Sequence, residues 1–205
     1  MSRFFAWSYD RLMHASEEAC LTNWRRELLR NASGDVLEIG AGTGINLQHY
    51  PPSLRRLVLA EPDPFMRARL DRRLRLSGRP AEISDATASS LPFPNASFDT
   101  TVSTLVLCSV PDPERTLREV GRVLRPGGRF IFLEHVAADD RPDRLKWQRR
   151  IEPIWRRILG NCHLTRRTGE SIRAAGFQVE TETRASIRKA APVARPSIRG
   201  VATKA

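Results

Sequence analysis

The stretch Asp35–Gly44, DVLEIGAGTG, sets the architecture of this sequence. Residues of strand character, Asp35–Ile39, lead into a loop with glycines at positions 40, 42 and 44. A short helical pattern, Ile45–Tyr50, follows and is stopped by Pro51 and Pro52. Glycine has no Cβ, so it turns tightly at positive φ and lets a ligand approach the main chain. A strand, a glycine loop and a helix presenting free N–H groups make a nucleotide-type cofactor pocket at the carboxyl end of a first parallel strand. Taken alone, the loop also fits a plain strand-to-helix turn with no ligand.

Downstream, strand and helix patterns alternate. Leu57–Ala60 is a second buried strand, followed by Glu61. Asp63 and Pro64 read as the cap and first position of a helix whose apolar side is Phe65, Met66, Leu70 and Leu74, ended by Gly78. Ala81–Ser84 is a third strand, closed by Asp85, and 86–97 is a loop. Phe98–Leu105 is a fourth strand. Pro111-Asp112-Pro113 starts a helix with Leu117, Val120 and Leu124 inward, stopped by Pro126-Gly127-Gly128. Arg129–Val136 is a fifth strand. Leu145–Leu159 is a helix that Pro153 should kink or split, and Thr165 reads as the cap of another helix, ended by Gly176. Phe177–Thr183 and Ser197–Thr203 are the last strands. Upstream, Phe4–His14 and Ser16–Arg30 read as two helices, the second capped by Ser16. Strands alternating with helices predict an α/β fold, a doubly wound, mostly parallel sheet.

The bulk composition fits one globular domain over residues 1–205, with 1–30 as an amino-terminal helical cap. No run approaches the ~18 apolar residues of a membrane span. The amino end, MSRFFAWSYDR, lacks the apolar core of a signal peptide. Three scattered cysteines, Cys20, Cys108 and Cys162, imply no disulfide framework and favour a reducing cytoplasm. The net charge of +11 comes mostly from arginine, and the arginines recur in every segment without forming a block. A dispersed field of that kind predicts no specific nucleic-acid partner, although a basic nucleic-acid or membrane-binding module is the non-enzyme alternative.

Candidate site residues fall at successive strand ends. Glu61 lies 21 residues past Gly40, placed to accept hydrogen bonds from a ribose diol, with Pro62 beside it; otherwise it is a helix-start carboxylate. Asp85, with Ala86, is placed to contact an adenine edge, or is a turn aspartate. The loop departs from a dinucleotide fingerprint, because Gly44 follows Gly42 by two residues rather than three. Glu38 precedes it inside the strand.

These features resemble the first motif of class I S-adenosylmethionine-dependent methyltransferases, and the segment from FPNASFDTTV to RVLRPGGR is typical of that family. The resemblance implies a seven-stranded sheet with an antiparallel last strand and S-adenosylmethionine as cofactor. It places the loop glycines Gly40, Gly42 and Gly44 by the methionine part, Glu61 at the ribose, and Asp85 and Ala86 at the adenine, with Glu38, Ala41 and Pro62 as further cofactor contacts. Ser103, Thr104 and Leu105 would line the floor under the sulfonium. Further strings, TLVLCSV, EHVAA, PIW, NCHLTRRT and RPSIRGVATK, resemble the thiol S-methyltransferases of the methyltransferase-like seven group and their bacterial relatives. Animal members carry an apolar amino-terminal anchor; this chain shows none, so membrane residence is not expected to carry over.

Methyl transfer from a sulfonium is an in-line displacement in which the protein supplies alignment and excludes water. A thiol acceptor is partly ionised at neutral pH, so a dedicated base is optional. The expected acceptor is therefore a small lipophilic thiol. The alternatives are N-methylation of a phospholipid head group or small amine, and O-methylation of a small metabolite. His135 is the candidate for taking or orienting a proton, or else is a buried, hydrogen-bonded strand-end histidine. Tyr9, Cys108, Glu134, Trp155 and Arg166 are candidate substrate contacts. Cys162-His163 is a lone pair with no second pair at zinc spacing, so no metal is expected. The resemblance implies a substrate lid at 139–164, between the fifth strand and the next helix, and there Trp147, Ile151, Ile154, Trp155 and Ile158 share one helical face. That face either packs into the core or rests, flanked by arginines, on lipid.

Overall fold

Seven strands hydrogen-bond into one sheet: β1 (Asp35–Ile39), β2 (Arg56–Ala60), β3 (Glu82–Ser84), β4 (Phe98–Thr104), β5 (Leu124–His135), β6 (Phe177–Ser186) and β7 (Pro196–Lys204). The structure, a computed structural model, describes residues 3–204, so Met1, Ser2 and Ala205 of the expected domain lie outside it. The strand order is β3-β2-β1-β4-β5-β7-β6. The pairings from β3 to β5 are parallel, and β7 runs antiparallel to both β5 and β6. This is the expected α/β sheet.

Period-two patterning divides the core between the two faces. Leu37, Ile39, Val58, Ala60, Phe130 and Phe132 face Leu117 and Val120 of α4 (Pro113–Val123) and Ile172 of α6 (Thr168–Ala174). The alternate residues Val36, Leu57, Leu59, Ile131 and Leu133 face Leu28 and Leu29 of α2 (Thr22–Leu29) and Leu70 of α3 (Pro64–Ser77). Phe98, Phe130 and Phe132 are fully buried; each such side chain contributes about 1.5–3 kcal/mol relative to exposure. The predicted boundaries of α3 hold at both ends. Asp63 Oδ1 accepts from the N–H groups of Phe65 and Met66 at 3.0 Å, Pro64 starts the helix, and Gly78 closes it at φ +64°.

Four local expectations are corrected. The amino-terminal helix does not break at Ser16. Ser16 has helical dihedrals (φ −77°, ψ −35°) and caps nothing, and α1 (Arg3–Ser16) runs through a π-helical turn, Glu17–Leu21, into α2. Thr165 caps no helix; its N–H donates to Glu152 Oε2 at 3.0 Å, and α6 starts at Thr168. The lid helix, α5 (Pro142–Ile158), begins earlier than expected and continues through Pro153. The proline leaves unpaired the carbonyl of Arg149, an exposed residue that water can serve. Nor does the apolar stripe of α5 pack into the core: Trp147 is 55% exposed, and Ile154 and Ile158 are each 65% exposed. What docks α5 is its buried Gln148, whose side chain donates to Val136 O and Val193 O and accepts from Ala138 N.

Strand order reverses between β1 and β4. A sheet of this kind opens a crevice at the carboxyl ends of the two strands on either side of such a reversal.

Candidate active site

A cavity of about 510 Å³ fills that crevice, within the range of small-molecule sites. Its walls come from the carboxyl-end loops of β1 to β5, from α1, from the end of α5 and the turn after it, and from the β6–β7 connection. Of the expected residues, Gly40, Gly42, Glu61, Pro62, Thr104, Leu105, Tyr9, Cys108, His135 and Trp155 line it.

The glycine loop is shaped for close approach. Gly40 and Gly42 have φ +61° and +58°. A Cβ at Gly40 would strike Val106 at 2.6 Å. At Gly42 it would meet only the Gly40 carbonyl, at 3.9 Å, so a ligand can occupy that space. Glu61 closes the loop: its Oε2 accepts from Gly42 N at 2.8 Å and its Oε1 from Asp63 N at 2.9 Å. Burial pushes its pKa up, against those two amides. Each oxygen keeps lone-pair capacity for a hydroxyl in the cavity. A diol beside Glu61 and an amino-acid tail over Gly42 fit this cradle, which is the polar pattern of S-adenosylmethionine.

Glu38 does not reach the cavity. It is buried behind the loop, accepting from Asn46 Nδ2 at 2.7 Å and from Tyr50 Oη at 2.8 Å. Asn46 Nδ2 also donates to Thr104 Oγ1, at 3.0 Å. Arg25 of α2 completes the network. Its Nη1 donates to Asn46 Oδ1 and Thr104 Oγ1, each at 2.9 Å, and its Nη2 pairs with Glu17 at 3.0 Å. Burial pushes the Glu38 carboxyl up to about 7, against its two donors. An acid with a raised folded pKa holds its proton in the folded state after the unfolded chain has lost it. Stability from this group is therefore full below its unfolded pKa and falls as pH rises through the folded one. Glu38→Gln should flatten that fall, by on the order of 3 kcal/mol across the window. Urea titrations of both proteins from pH 4.5 to pH 7 measure the slope; identical slopes would refute the assignment.

Other expected contacts also lie behind the walls. Ala41, Gly44 and Ala86 shape the loops without lining the cavity, and Asp85 is exposed at the end of β3, where Thr87, Ala88 and Ser89 line the wall in its place. Ser103 is buried and donates to Glu134 Oε1 at 2.7 Å. Glu134 is not a substrate contact. It is fully buried, and its carboxylate accepts the N–H groups of Val106, Leu107 and Cys108, which fixes the loop after β4. Arg166 also lies outside the lining: its guanidinium donates to the carbonyls of Leu107 and Val110.

Cys162 and the β6–β7 residues Ile187, Ala190 and Ala194 line the cavity without having been expected there. His135 Nε2 lies 2.7 Å from Cys162 Sγ, and its Nδ1 is buried with no hydrogen-bond partner. It is thus the buried, hydrogen-bonded strand-end histidine of the alternative reading, and it also lines the cavity with one ring nitrogen unpaired. Trp155 Nε1 donates to the same sulfur at 3.4 Å. The neighbouring Cys108 and burial push the Cys162 thiol far up, so it is neutral at pH 7. Tyr9 comes from α1, which Asp10 clasps over the glycine loop. Its Oδ1 accepts from Thr43 Oγ1 at 2.6 Å, and its Oδ2 from Arg69 and Arg73 at 3.0 and 2.9 Å.

Comparison with known proteins agrees with this geometry. Residues 37–132 match the family model described as a methyltransferase domain. The thiol S-methyltransferase TMT1B of Rattus norvegicus is 38% identical over 183 residues, covering 86% of this chain and 74% of its own. The thiol S-methyltransferase TMT1A of Homo sapiens is 32% identical over 200 residues, covering 96% and 81%. Among solved structures, a Thermotoga maritima S-adenosylmethionine-dependent methyltransferase, described as a possible histamine N-methyltransferase, superposes with a TM-score of 0.69. It is 20% identical and covers 99% of this chain and 97% of its own, a likeness of fold. With the sheet order, the glycine cradle and Glu61 in place, the chain belongs to the class I S-adenosylmethionine-dependent methyltransferases, in the family that holds the thiol S-methyltransferases.

Proposed function

We propose that this methyltransferase acts on the sulfur of a small lipophilic thiol. One observation carries the acceptor class. Among the described residues, the only carboxylate lining the cavity is Glu61, beside the glycine loop, and the far end offers Cys108, His135, Cys162 and Trp155 instead. A protonated amine or a hydroxyl would need a stronger base there. A thiol near its ordinary pKa of about 8.5 needs little help, and the thiol relatives share most of the chain.

When bound, S-adenosylmethionine supplies the methyl group from its sulfonium. Gly40 and Gly42 hold its tail and Glu61 its ribose; Thr104 and Leu105 form the floor. His135 takes or orients the acceptor's proton, and Tyr9 and Trp155 exclude water from opposite sides. The cavity walls are mainly apolar, which suits a lipophilic acceptor. The exposed stripe on α5 and its flanking arginines support peripheral contact with lipid, tested by co-sedimentation with anionic vesicles. No helix among the described residues is long and apolar enough to cross a membrane.

Labelled cofactor offered with panels of thiols, amines and phenols decides the acceptor. Label on thiols alone is expected, and label confined to amines or phenols would overturn the proposal. Glu61→Ala should weaken cofactor binding about ten- to hundred-fold in isothermal titration, through lost charge-assisted hydrogen bonds. Unchanged affinity would remove Glu61 from the site.

A further inference from the structure

Three side chains at the far end of the cavity converge from distant parts of the chain. Cys108 follows β4, His135 ends β5, and Cys162 follows α5. One ligand atom from each, two sulfurs and one imidazole nitrogen, lies within 4.8 Å of the others. We infer that Cys108, His135 and Cys162 form a zinc site with an open fourth position that takes the acceptor's sulfur. The last clause rests on the thiol proposal above; the metal site itself does not.

The donor set selects the ion. Thiolate and imidazole suit zinc and other soft or borderline metals, and they disfavour magnesium and calcium. Two cysteines and one histidine, with a fourth position free, is the ligand pattern of catalytic zinc, whereas structural zinc fills all four positions. In a tetrahedral site the ligand atoms stand about 3.5–3.8 Å apart, so side-chain rotation of about 1 Å brings this set to bonding distance. Two thiolates also cancel the charge of a divalent ion, so the loaded site adds no net charge to an apolar cavity.

Pre-organisation makes the cluster more than a chance meeting of thiols. Its backbone is held by bonds that use none of the three side chains. His163 N donates to Cys108 O at 2.8 Å, and Asn161 Nδ2 donates to Ser109 O at 2.9 Å, tying the turn after α5 to the loop after β4. Glu134 fixes the amides of that loop, and Arg166 fixes its carbonyls at Leu107 and Val110. Buried Glu134 and half-buried Arg166, neither of which lines the cavity, thus hold these loops in place. Apart from the Nε2 contact with Cys162 Sγ, itself a member of the cluster, the His135 ring has no hydrogen-bond partner, so no bond outside the cluster fixes it.

The chemistry balances. On loading, the two cysteine thiols release their protons to solvent. The acceptor thiol then binds at the fourth position and releases its own proton to solvent, now favoured by the metal in place of His135. As the new sulfur–methyl bond forms, the methyl–sulfonium bond breaks, and its electron pair stays on the cofactor's sulfur. The product thioether is neutral and a weaker ligand than a thiolate, so it leaves.

Cobalt(II), the spectroscopic stand-in for zinc, tests the site on the full chain after reduction and chelation, under anaerobic conditions. One equivalent should bring up visible ligand-field bands and a near-ultraviolet sulfur-to-cobalt band, and zinc should bleach both. Cys108→Ser, Cys162→Ser and His135→Gln should each weaken cobalt binding at least tenfold while S-adenosylmethionine still binds by isothermal titration, which shows that the variants fold. Adding ethanethiol should shift the visible bands and raise the sulfur-to-cobalt band by about half, as two sulfur ligands become three. No cobalt bands in a protein that still binds S-adenosylmethionine would overturn the site, and thiol methylation persisting there would leave the acceptor proposal standing. Cobalt bands that ethanethiol leaves unchanged would overturn the open position. Bands that respond to thiol, without any S-methyl product, would sink the acceptor proposal and keep the metal. Loss of two free thiols in the isolated protein, reversed by reductant and without cobalt bands, would assign Cys108 and Cys162 to a disulfide and overturn the inference.

Discussion

Arg25→Met is expected to lower the melting temperature by about 10 °C or more. The guanidinium is 2% exposed and Glu17, its partner, 6%. Two Arg25 nitrogens, Nε at 3.1 Å and Nη2 at 3.0 Å, face Glu17 Oε1, while Nη1 reaches Asn46 and Thr104. Methionine fills much of the volume and leaves a buried carboxylate without a counter-charge. Breaking one side of such a pair costs about 3–5 kcal/mol, out of a total that is typically about 5–15 kcal/mol. The pair is not intrinsically stabilising to the same extent, because ionising both groups in the interior carries its own desolvation cost. Replacing both, as Glu17→Leu with Arg25→Met, should therefore restore a large part of the loss. Differential scanning calorimetry of the two single variants and the double variant measures this directly. A single variant within a degree or two of the parent would show that the pair carries no such load.

The network also reaches function. Asn46 and Thr104 meet below the glycine loop, and Thr104 is part of the cavity wall. In the doubly substituted protein, cofactor binding should stay weaker than in the parent even where stability returns. That separates the positioning of Thr104 from the folding contribution of the ion pair.

Gly42→Val should abolish cofactor binding while the chain still folds. Valine at φ +58° is strained by about 1–3 kcal/mol, which a protein of ordinary stability absorbs. No protein atom except the Gly40 carbonyl lies within 4 Å of the new Cβ, so the branched side chain takes the space the cradle offers to a ligand. Displacing the ligand's tail and blocking the approach of main-chain donors should cost more than 100-fold in affinity, or about 3 kcal/mol. Isothermal titration reads the loss, and far-ultraviolet circular dichroism checks the fold. A variant that binds S-adenosylmethionine as the parent does would place the cofactor elsewhere. Gly40→Val makes a poor substitute test, because its Cβ would collide with Val106 and disturb the loop after β4.

The sheet, both ends of α3 and the front of the cofactor cradle were legible because local rules dominate there. Strand alternation, the Asp63-Pro64 start, the Gly78 stop and the glycine loop are each set by a few neighbouring residues. What was not legible depends on long-range pairing. Nothing near Arg25 in the chain announces that it will be buried, since its partners Glu17, Asn46 and Thr104 come from three segments. Glu134 and Arg166 have the composition of substrate contacts, yet loop amides and carbonyls claim them. The meeting of Cys108, His135 and Cys162 escaped any spacing rule because they come from the loop after β4, the end of β5 and the turn after α5. The α5 stripe has a helical period, but periodicity gives no information on whether anything lies against it. One local signal was available and passed over: Gln148, the one uncharged polar side chain with an amide on α5, is the buried anchor.

The position of β7 has a consequence for how the chain is made. This strand follows all the others in sequence, yet it sits between β5 and β6 and pairs with both. During synthesis β5 can form with β4, but its other edge stays open, and β6 has no neighbour at all until β7 has emerged. The nascent protein therefore carries an unpaired, strongly apolar β5 edge for as long as translation of the following segments lasts, an invitation to pair with other chains. The cavity wall supplied by the β6–β7 connection is also missing over that interval. Completion of the cavity and closure of the sheet thus belong to the same late event, and a ribosome that stalls before β7 holds a chain with neither.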